Sequence, residues 1–403
     1  MKTKKLIGIL LSAVLVFTTV FAGASSVYAE TETPKDYPVV GAIKSDEGTM
    51  KAAANDESNN TVTATSINVN QSAVTYSTRA YGGSTVALVG VKIPKAGAFM
   101  FNILAGNSGT VELYKSYEAG AKPIASMPIY KAYSVEDYDT FYASVDKAGT
   151  YYLVFSTDSY AETQSLFNCY YAPAGGTPTV SKNFYGASPK GVNSGWSYYK
   201  ITTAGLRYLT ISFPDRMKSN SLYQVKLMNS TKKKNLSKGI IGVGSGKSWT
   251  TYAAVPKGTY YVAVKCSDPM YAINLKATKV TENSGSTRTK AKSIYKGNTK
   301  KGLITATQSS TSADWYKIKI NSSQKVNLEV ITKTGGYNGG IRISVFRSGK
   351  TKAFGSSDFY WDDPASTLQL YTSGYGGRLS KGTYYIKVQK YGCGSGYYQI
   401  KWK

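Results

Sequence analysis

The fold is decided by a short segment that occurs three times in the chain. It reads KAGTYYLV at Lys147–Val154, KGTYYVAV at Lys257–Val264 and KGTYYIKV at Lys381–Val388. In each copy a glycine turn leads into aromatic and β-branched residues, which is typical of a turn followed by a β-strand. A segment that returns within a longer repeated pattern indicates tandem modules of one fold.

Two further elements precede each copy in the same order. Their apolar and polar residues alternate, so that one face of each strand is buried and the other meets water, as in antiparallel sheets. We therefore expect an all-β protein of three tandem antiparallel β-sandwich modules, jelly-roll-like, at 57–175, 176–280 and 281–403. The two elements are Val91–Ile93, Tyr199–Ile201 and Tyr316–Ile318, and then Val111–Ser116, Val225–Ser230 and Ile343–Ser348.

Composition agrees with this fold class. The 403 residues include 35 tyrosines and 39 glycines, a balance that favours strands and turns over helices. The only cysteines are Cys169, Cys266 and Cys393, which allow at most one internal disulfide. Disulfides therefore do not organise the fold.

The N-terminus has the three parts of a secretory signal. Lys2, Lys4 and Lys5 precede an apolar run at Leu6–Phe21, and Val27–Ala29 ends in a small-residue cleavage site. We expect a signal peptide at 1–29 and a flexible leader at 30–56. The mature chain is expected to be secreted from a bacterium, extracellular or loosely associated with the cell wall, without membrane insertion.

The sequence contains no histidine. This removes the side chain most used for proton transfer near neutral pH, the usual nucleophile triads and most catalytic zinc sites. Glu136, Asp137 and Asp139 are spaced as paired carboxylates for glycoside cleavage could be, but they more simply decorate an exposed turn. We therefore expect that the protein is not an enzyme and that it binds no cofactor.

Motifs in the third module resemble those of a known family. The module opens with Thr281–Asn283, continues through Ala291–Ile294 and Gly302–Ile304, and contains Asp314–Lys317 before Gly382–Tyr385. This arrangement is similar to the bacterial pre-peptidase C-terminal domain, a β-sandwich appended to secreted enzymes. The first module shares the opening at Glu57–Ile67, and the second keeps Tyr198–Lys200. The resemblance implies an accessory, targeting or adhesive role.

Charge is concentrated in the last two modules. Residues 61–175 hold 7 Lys/Arg against 8 Asp/Glu, whereas 176–280 hold 16 against 2 and 281–403 hold 20 against 6. The repulsion within such a surface falls when an anionic partner neutralises it. The densest run is Lys232, Lys233 and Lys234, joined by Lys238 and Lys247. This run is either part of a binding surface or a solvated hairpin.

Some aromatic residues are candidates for sugar contact. Tyr151, Tyr261, Tyr385 and Trp315 lie on alternating strand positions and are expected to pack in the core or across strands. Ligand contact is expected instead from residues in Gly- and Asp-rich connections. These candidates are Tyr337, Tyr360, Trp361 and Tyr375, the last beside Arg378.

One loop contains a weaker candidate for a cation site. Asp358, Asp362 and Asp363 could supply oxygen ligands to calcium, although their spacing matches no specific calcium loop. No other metal site is expected.

Three functions are weighed from the sequence. The first is a secreted, non-catalytic protein whose basic modules bind anionic polysaccharide, teichoic acid or another extracellular glycan through several weak contacts. The second is a carbohydrate-binding accessory protein that uses the loop aromatics. The third is an extracellular hydrolase with an unfamiliar site. Nucleic acid is a possible polyanion but is not favoured, because the chain is exported and has no readout motif.

Overall fold

The structure is a computed structural model in which part of the chain is described. The described residues form β-strands joined by turns and contain no α-helix. No helix that could cross a membrane is found among them. The signal segment at 1–29 lies outside them, as does the leader at 30–56 apart from one strand. The described residues are 49–51, 61–63, 65–67, 71–79, 85–116, 121–134, 136–157, 163–188, 195–213, 222–237, 243–244, 249–336, 338–360, 365–371 and 377–403.

The N-terminal strands form a short two-stranded sheet, β1–β2, and a nine-stranded sheet, called sheet A. Sheet A has the order β8-β7-β10-β5-β4-β11-β6-β9, with β3 beside β5. Its strands fold over one core, in which Phe155 and Phe167 have ring centroids 5.4 Å apart. The bounds are β1 Thr49–Lys51, β2 Thr61–Thr63, β3 Thr65–Ile67, β4 Gln71–Arg79, β5 Thr85–Ile93, β6 Gly97–Ala105, β7 Gly109–Tyr114, β8 Ala125–Ile129, β9 Asp139–Val145, β10 Gly149–Thr157 and β11 Thr163–Pro173.

The next strands form two four-stranded sheets. Sheet B has the order β13-β18-β15-β16, and sheet C has the order β12-β19-β14-β17. They pack through side chains such as Phe213 and Tyr223, whose rings stack with centroids 4.2 Å apart. The bounds are β12 Asn183–Ala187, β13 Ser197–Thr203, β14 Arg207–Phe213, β15 Tyr223–Met228, β16 Val243–Gly244, β17 Trp249–Val255, β18 Gly258–Cys266 and β19 Met270–Lys279.

The C-terminal strands form a second sandwich. Sheet D has the order β21-β28-β23-β26, and sheet E has the order β20-β22-β27-β24-β25. Their shared core includes Tyr316 and Tyr398, whose hydroxyls are 2.8 Å apart. The bounds are β20 Lys292–Ser293, β21 Thr299–Ile304, β22 Ala313–Ile320, β23 Val326–Gly335, β24 Gly340–Arg347, β25 Gly355–Tyr360, β26 Ser366–Leu370, β27 Gly382–Tyr391 and β28 Ser395–Trp402.

The repeated segment has the same local structure in its three copies. The first tyrosine is buried in each, and its hydroxyl donates to the carbonyl four residues earlier: Tyr151 to Lys147 at 2.9 Å, Tyr260 to Pro256 at 3.3 Å and Tyr384 to Ser380 at 3.0 Å. This bond resembles the tyrosine corner of other sandwiches. The glycine two residues before each tyrosine has a φ of +150° to +158°, which favours glycine at that position.

The predicted fold class is confirmed, because the described residues form sheets of mainly antiparallel strands, while the short β3 and β20 pair in parallel. By contact density the chain divides into two compact units. The first unit ends at Ala174 and also includes Phe184–Gly195 and Cys266–Tyr271. The second unit consists of Gly175–Asn183, Trp196–Lys265 and Ala272–Lys403. Each of sheets A to E takes its strands from one of the three predicted module ranges, and the exact boundaries stay a prediction.

None of the three cysteines forms a disulfide. Cys169 and Cys266 are buried in the sheets, and Cys393 is half-buried. Burial raises the pKa of Cys169, which keeps that thiol protonated and unreactive. The fold is therefore held by packing and hydrogen bonds.

Candidate functional site

A tight turn positions the first of the predicted lysines. The side-chain oxygen of Asn229 accepts hydrogen bonds from the backbone N–H groups of Lys233 at 3.1 Å and Lys234 at 3.0 Å. Lys232 takes a left-handed conformation with a φ of 60°. The three lysines are exposed. Because the turn reverses at Lys232, this side chain points back over sheet B.

Lys232 lies on two tyrosines of sheet B. Its ammonium is 4.6 Å from the ring centroid of Tyr261 and 5.1 Å from that of Tyr198. The two rings contact each other edge to face, 6.5 Å apart. Tyr261 therefore makes the cross-strand contact expected of it, but on the outer face of the sheet, where it also holds a cation.

A tryptophan on the same side of sheet B contacts the ammonium groups of two lysines. The ammonium of Lys226 is 4.1 Å from the ring centroid of Trp196, and that of Lys265 is 5.2 Å from it. Burial, and then the nearby charge of Lys265, lower the pKa of Lys226. Strands β13, β15 and β18 contain no acidic residue. The repulsion between these lysines is therefore not balanced within the sheet.

We call this exposed side of sheet B the B face. It combines aromatic rings with cations, and none of its lysines makes a salt bridge in the part of the chain that the structure describes. Its residues are Trp196, Tyr198, Lys200, Lys226, Lys232, Tyr261 and Lys265.

The exposed side of sheet E, called the E face, has a similar construction. The guanidinium of Arg288 lies 4.5 Å from the ring centroid of Tyr385 and 5.5 Å from that of Phe346. It also donates to the carbonyls of Lys350 at 2.6 Å and Arg347 at 2.7 Å, which fixes its position. Arg288 therefore presents a held positive charge above two rings.

Trp315 extends the E face along strand β22. Its ring lies 5.6 Å from that of Phe346, and the ammonium of Lys387 lies 5.9 Å above it. Lys317 pairs with Tyr385 across the ladder and points to the same side. Trp315 and Tyr385 therefore pack across strands, as predicted, but on the outer face and beside cations.

The far end of the E face contains the one predicted loop aromatic that the structure describes on a strand. Tyr360 contacts Tyr391 edge to face at 5.6 Å, and the guanidinium of Arg342 lies 4.5 Å from the Tyr391 centroid. Arg342 binds both oxygens of Asp358, at 2.6 Å and 2.7 Å. Asp358 therefore forms an ion pair with Arg342.

The two faces occupy equivalent positions in the repeat, and the first module differs from them at two of these positions. The residue before the repeated element, which is Val-Lys-Ile in the first module and Tyr-Lys-Ile in the later two, is glycine in the first module and aromatic in the others. Glu112, which accepts a hydrogen bond from Tyr114 at 2.8 Å, stands where the second module has Lys226. The equivalent positions are Gly90, Tyr198 and Trp315; Lys92, Lys200 and Lys317; and Tyr152, Tyr261 and Tyr385.

Several predicted site residues lie outside the described residues, and their predictions are untested. They are Tyr337, Trp361 and Tyr375, the calcium candidates Asp362 and Asp363, and Lys238 and Lys247. Arg378 is described; it is exposed and donates to the carbonyl of Ser323 at 3.2 Å.

The carboxylates weighed for glycoside cleavage act as turn caps. An oxygen of Asp137 accepts from the backbone N–H groups of Tyr133 at 3.1 Å and Ser134 at 2.9 Å. An oxygen of Asp139 accepts from the N–H of Tyr130 at 2.7 Å, and Glu136 is exposed. No group of three or more acidic, cysteine or histidine side chains suited to a metal occurs within the described ranges.

A second acidic group, not singled out from the sequence, lies beside an open cleft in the third module. Asp314 accepts hydrogen bonds from Tyr398 at 2.6 Å and from Ser284 at 2.9 Å. Glu282 lies against it and also accepts weakly from the N–H of Leu303 at 3.5 Å. Lys290, Lys292 and Trp315 line the same cleft.

Burial, and then the charge of Asp314 and the hydrogen bond to it, raise the pKa of Glu282 to about 7. The Glu282 carboxyl therefore keeps its proton to a higher pH than an exposed glutamate does. Two carboxyls that interact this closely leave no room between them for a sugar and a water, which glycoside hydrolysis requires. The arrangement is that of a structural pair at the start of the module.

Sequence reasoning found Lys232 but missed its companions. Trp196, Tyr198, Lys226 and Lys265 are distant along the chain and meet only when strands β13, β15 and β18 pair. A usable signal was present, because lysine and aromatic residues occupy outward positions of these strands, where an ordinary solvated face alternates both signs of charge.

No protein-family model and no curated protein matches the sequence. Among solved structures, the chain is similar to the pre-peptidase C-terminal domain of a collagenase from Bacillus anthracis, at 17% identity over 31% of this chain and 100% of that chain, with a TM-score of 0.22. It is also similar to a chain of the lipid-containing bacteriophage PM2, at 11% identity over 78% of this chain and 98% of that chain, with a TM-score of 0.14.

Proposed function

We propose that this chain is a secreted, non-catalytic binding protein that holds anionic glycopolymers on its B face and E face. The polymers have phosphate or carboxylate groups repeated along a sugar or polyol chain, as in teichoic acids and acidic polysaccharides. The observation that carries the proposal is the pair of lysines over Trp196, whose charges have no carboxylate partner on their sheet. An anion seated there relieves the repulsion between Lys226 and Lys265.

The contacts of the rings favour charge-based binding over stacking of sugars on open aromatic faces. Lys232 lies over the rings of Tyr198 and Tyr261, and Lys226 lies over that of Trp196. These rings orient ammonium groups toward solvent and reduce their hydration, which strengthens their attraction to an anion. Tyr360, the described loop aromatic, is already packed against Tyr391.

Charge-based binding makes a specific prediction about salt. Between about 0.1 M and 1 M salt the Debye length falls from about 10 Å to about 3 Å, so contacts among exposed charges weaken strongly. We expect the full chain to be retained on immobilised poly(glycerol phosphate) or polygalacturonate at the lower salt concentration and released at the higher one. Neutral dextran is the control and should not retain it at either concentration.

A variant with Lys226→Gln and Lys265→Gln tests whether the B face carries the contact. The matched control is Lys92→Gln, because Lys92 is exposed at the equivalent strand position to Lys200 in the first module. Weaker retention of the double variant, with no change for Lys92→Gln, supports the proposal. Binding that is unchanged by salt, or a preference for duplex DNA over the glycopolymers at equal charge, contradicts it.

A further inference from the structure

The B face and the E face belong to one packed stack of four sheets. Tyr208 and Tyr252 lie on the side of sheet C that faces away from sheet B, and their rings stack 5.6 Å apart. Tyr397 lies on the corresponding side of sheet D, 5.7 Å from Tyr208. Sheets C and D therefore pack against each other through the sides that are turned away from their own sandwich cores.

Further residues of sheets C and D take part in this contact. Ala254 and Leu303 are buried in it together with the tyrosines. The N–H of Ala306 donates to the carbonyl of Ala254 at 2.7 Å, and the ammonium of Lys333 lies 5.8 Å from the ring centroid of Tyr252. The contact between the two sandwiches therefore combines apolar packing with a backbone hydrogen bond.

The order of the layers is therefore B, C, D, E. Sheets B and E are the outer layers, so their exposed sides face in opposite directions. Packed sheets lie about 10 Å apart, which places the two outer sheets about 30 Å from each other. A short anionic oligomer cannot reach both faces, and a stiff polymer lying on one face leaves the other open.

We propose that this unit bridges two anionic polymer strands, with one strand on the B face and the other on the E face. The proposal rests on the proposed function and adds to it, because binding alone requires only one face. The first module takes no part, since it has Glu112 and Gly90 at the positions that carry Lys226 and an aromatic residue in the second.

Bridging is tested with beads coated with poly(glycerol phosphate) or with polygalacturonate, mixed with the full chain at low salt. The chain should agglutinate one or both kinds of bead, with a maximum at intermediate protein concentration and dispersal at excess protein. The coating that responds distinguishes phosphate from carboxylate as the ligand chemistry. A short oligogalacturonate should bind with two sites per chain in calorimetry.

Single-face variants separate bridging from binding. The B-face variant is Lys226→Gln with Lys265→Gln, and the E-face variant is Lys317→Gln with Lys387→Gln. Each should still bind immobilised polymer, with affinity reduced at least about tenfold by the loss of the second contact, and neither should agglutinate beads. Circular dichroism confirms that each variant is folded.

Several outcomes overturn the proposal. Retention without agglutination by the unaltered chain removes bridging but leaves the proposed function intact, whereas no retention removes both. Agglutination that persists in both single-face variants also overturns it, because bridging would then come from self-association. Light scattering of the unbound chain at the same concentration identifies that case.

Discussion

Lys226 and Lys265 place their ammonium groups over the same indole ring, that of Trp196, at 4.1 Å and 5.2 Å from its centroid. Lysines on a sheet surface ordinarily separate or pair with carboxylates. Here the ring compensates both charges in part, through its negative face, and leaves them available to a third group. This relationship links the fold to the proposed binding of anions.

Lys226→Gln should weaken polymer binding without weakening the fold. The change removes one member of a like-charge pair, so the free energy of unfolding should stay constant or rise by less than about 1 kcal/mol. Retention on immobilised polymer should fall, and its salt dependence should become shallower. Urea denaturation and salt-dependent retention of the same variant check both parts, and a large loss of stability would indicate a structural role instead.

The three tyrosine corners should contribute separately to stability. Tyr151→Phe, Tyr260→Phe and Tyr384→Phe each remove one hydroxyl that donates to a carbonyl four residues earlier. Each should lower the free energy of unfolding of its own module by about 1 kcal/mol. Tyr152→Phe is the control, since its half-buried side chain lies at the next position and outside the core. Equal losses in the control and in Tyr151→Phe would show that the corner bond is not the cause.

Glu282 should make the third module less stable as pH rises through neutrality. Its pKa is raised to about 7 in the folded state and lies near 4.5 when unfolded, so its protonated form favours folding. The contribution is fully present below the unfolded pKa and is lost as pH rises through about 7. Hydrogen exchange of strands β22 and β28 between pH 5 and pH 8.5, corrected for the intrinsic exchange rate, should reveal the loss of protection.

Glu282→Gln provides the comparison for that measurement. The amide keeps a donor toward Asp314 and does not ionise, so protection of these strands should become nearly independent of pH across the same range. Glu329→Gln is the matched control, since Glu329 pairs with Lys403 at 2.6 Å on sheet D. If Glu282→Gln and the unaltered chain show the same pH dependence, another group is responsible.

Ala254→Arg should separate sheets C and D while leaving each sandwich folded. Ala254 is fully buried in the contact with Leu303 and Tyr397, and a guanidinium placed among these apolar side chains loses its hydration. We expect a larger radius of gyration in solution scattering and faster proteolysis between 280 and 298. Thr202→Arg, on the exposed side of sheet B, should change neither quantity. An unchanged radius in Ala254→Arg would show that the contact tolerates the charge.

The copies of one local pattern were sufficient to predict the fold class. The glycine turn and the alternation after it are local properties, and they recur in strands β10, β18 and β27 with the same buried tyrosine. The sequence did not predict which tyrosine of each pair faces the core. Tyr261 and Tyr385 were expected to pack in the core or across strands, and they pack across strands on the outer face beside cations, whereas Tyr260 and Tyr384 fill the core.

By itself, the sequence determined an all-β chain of repeated strands with its positive charge in the last two modules, because periodicity and composition act over a few neighbouring residues. Tertiary structure alone decided which lysines share a ring and which way each face points. Lys226 and Lys265 meet at Trp196 only through strand pairing, and the opposed faces exist only because sheets C and D bury Tyr208 and Tyr397 between them. Contacts between distant segments depend on how sheets pack, and no local pattern encodes that.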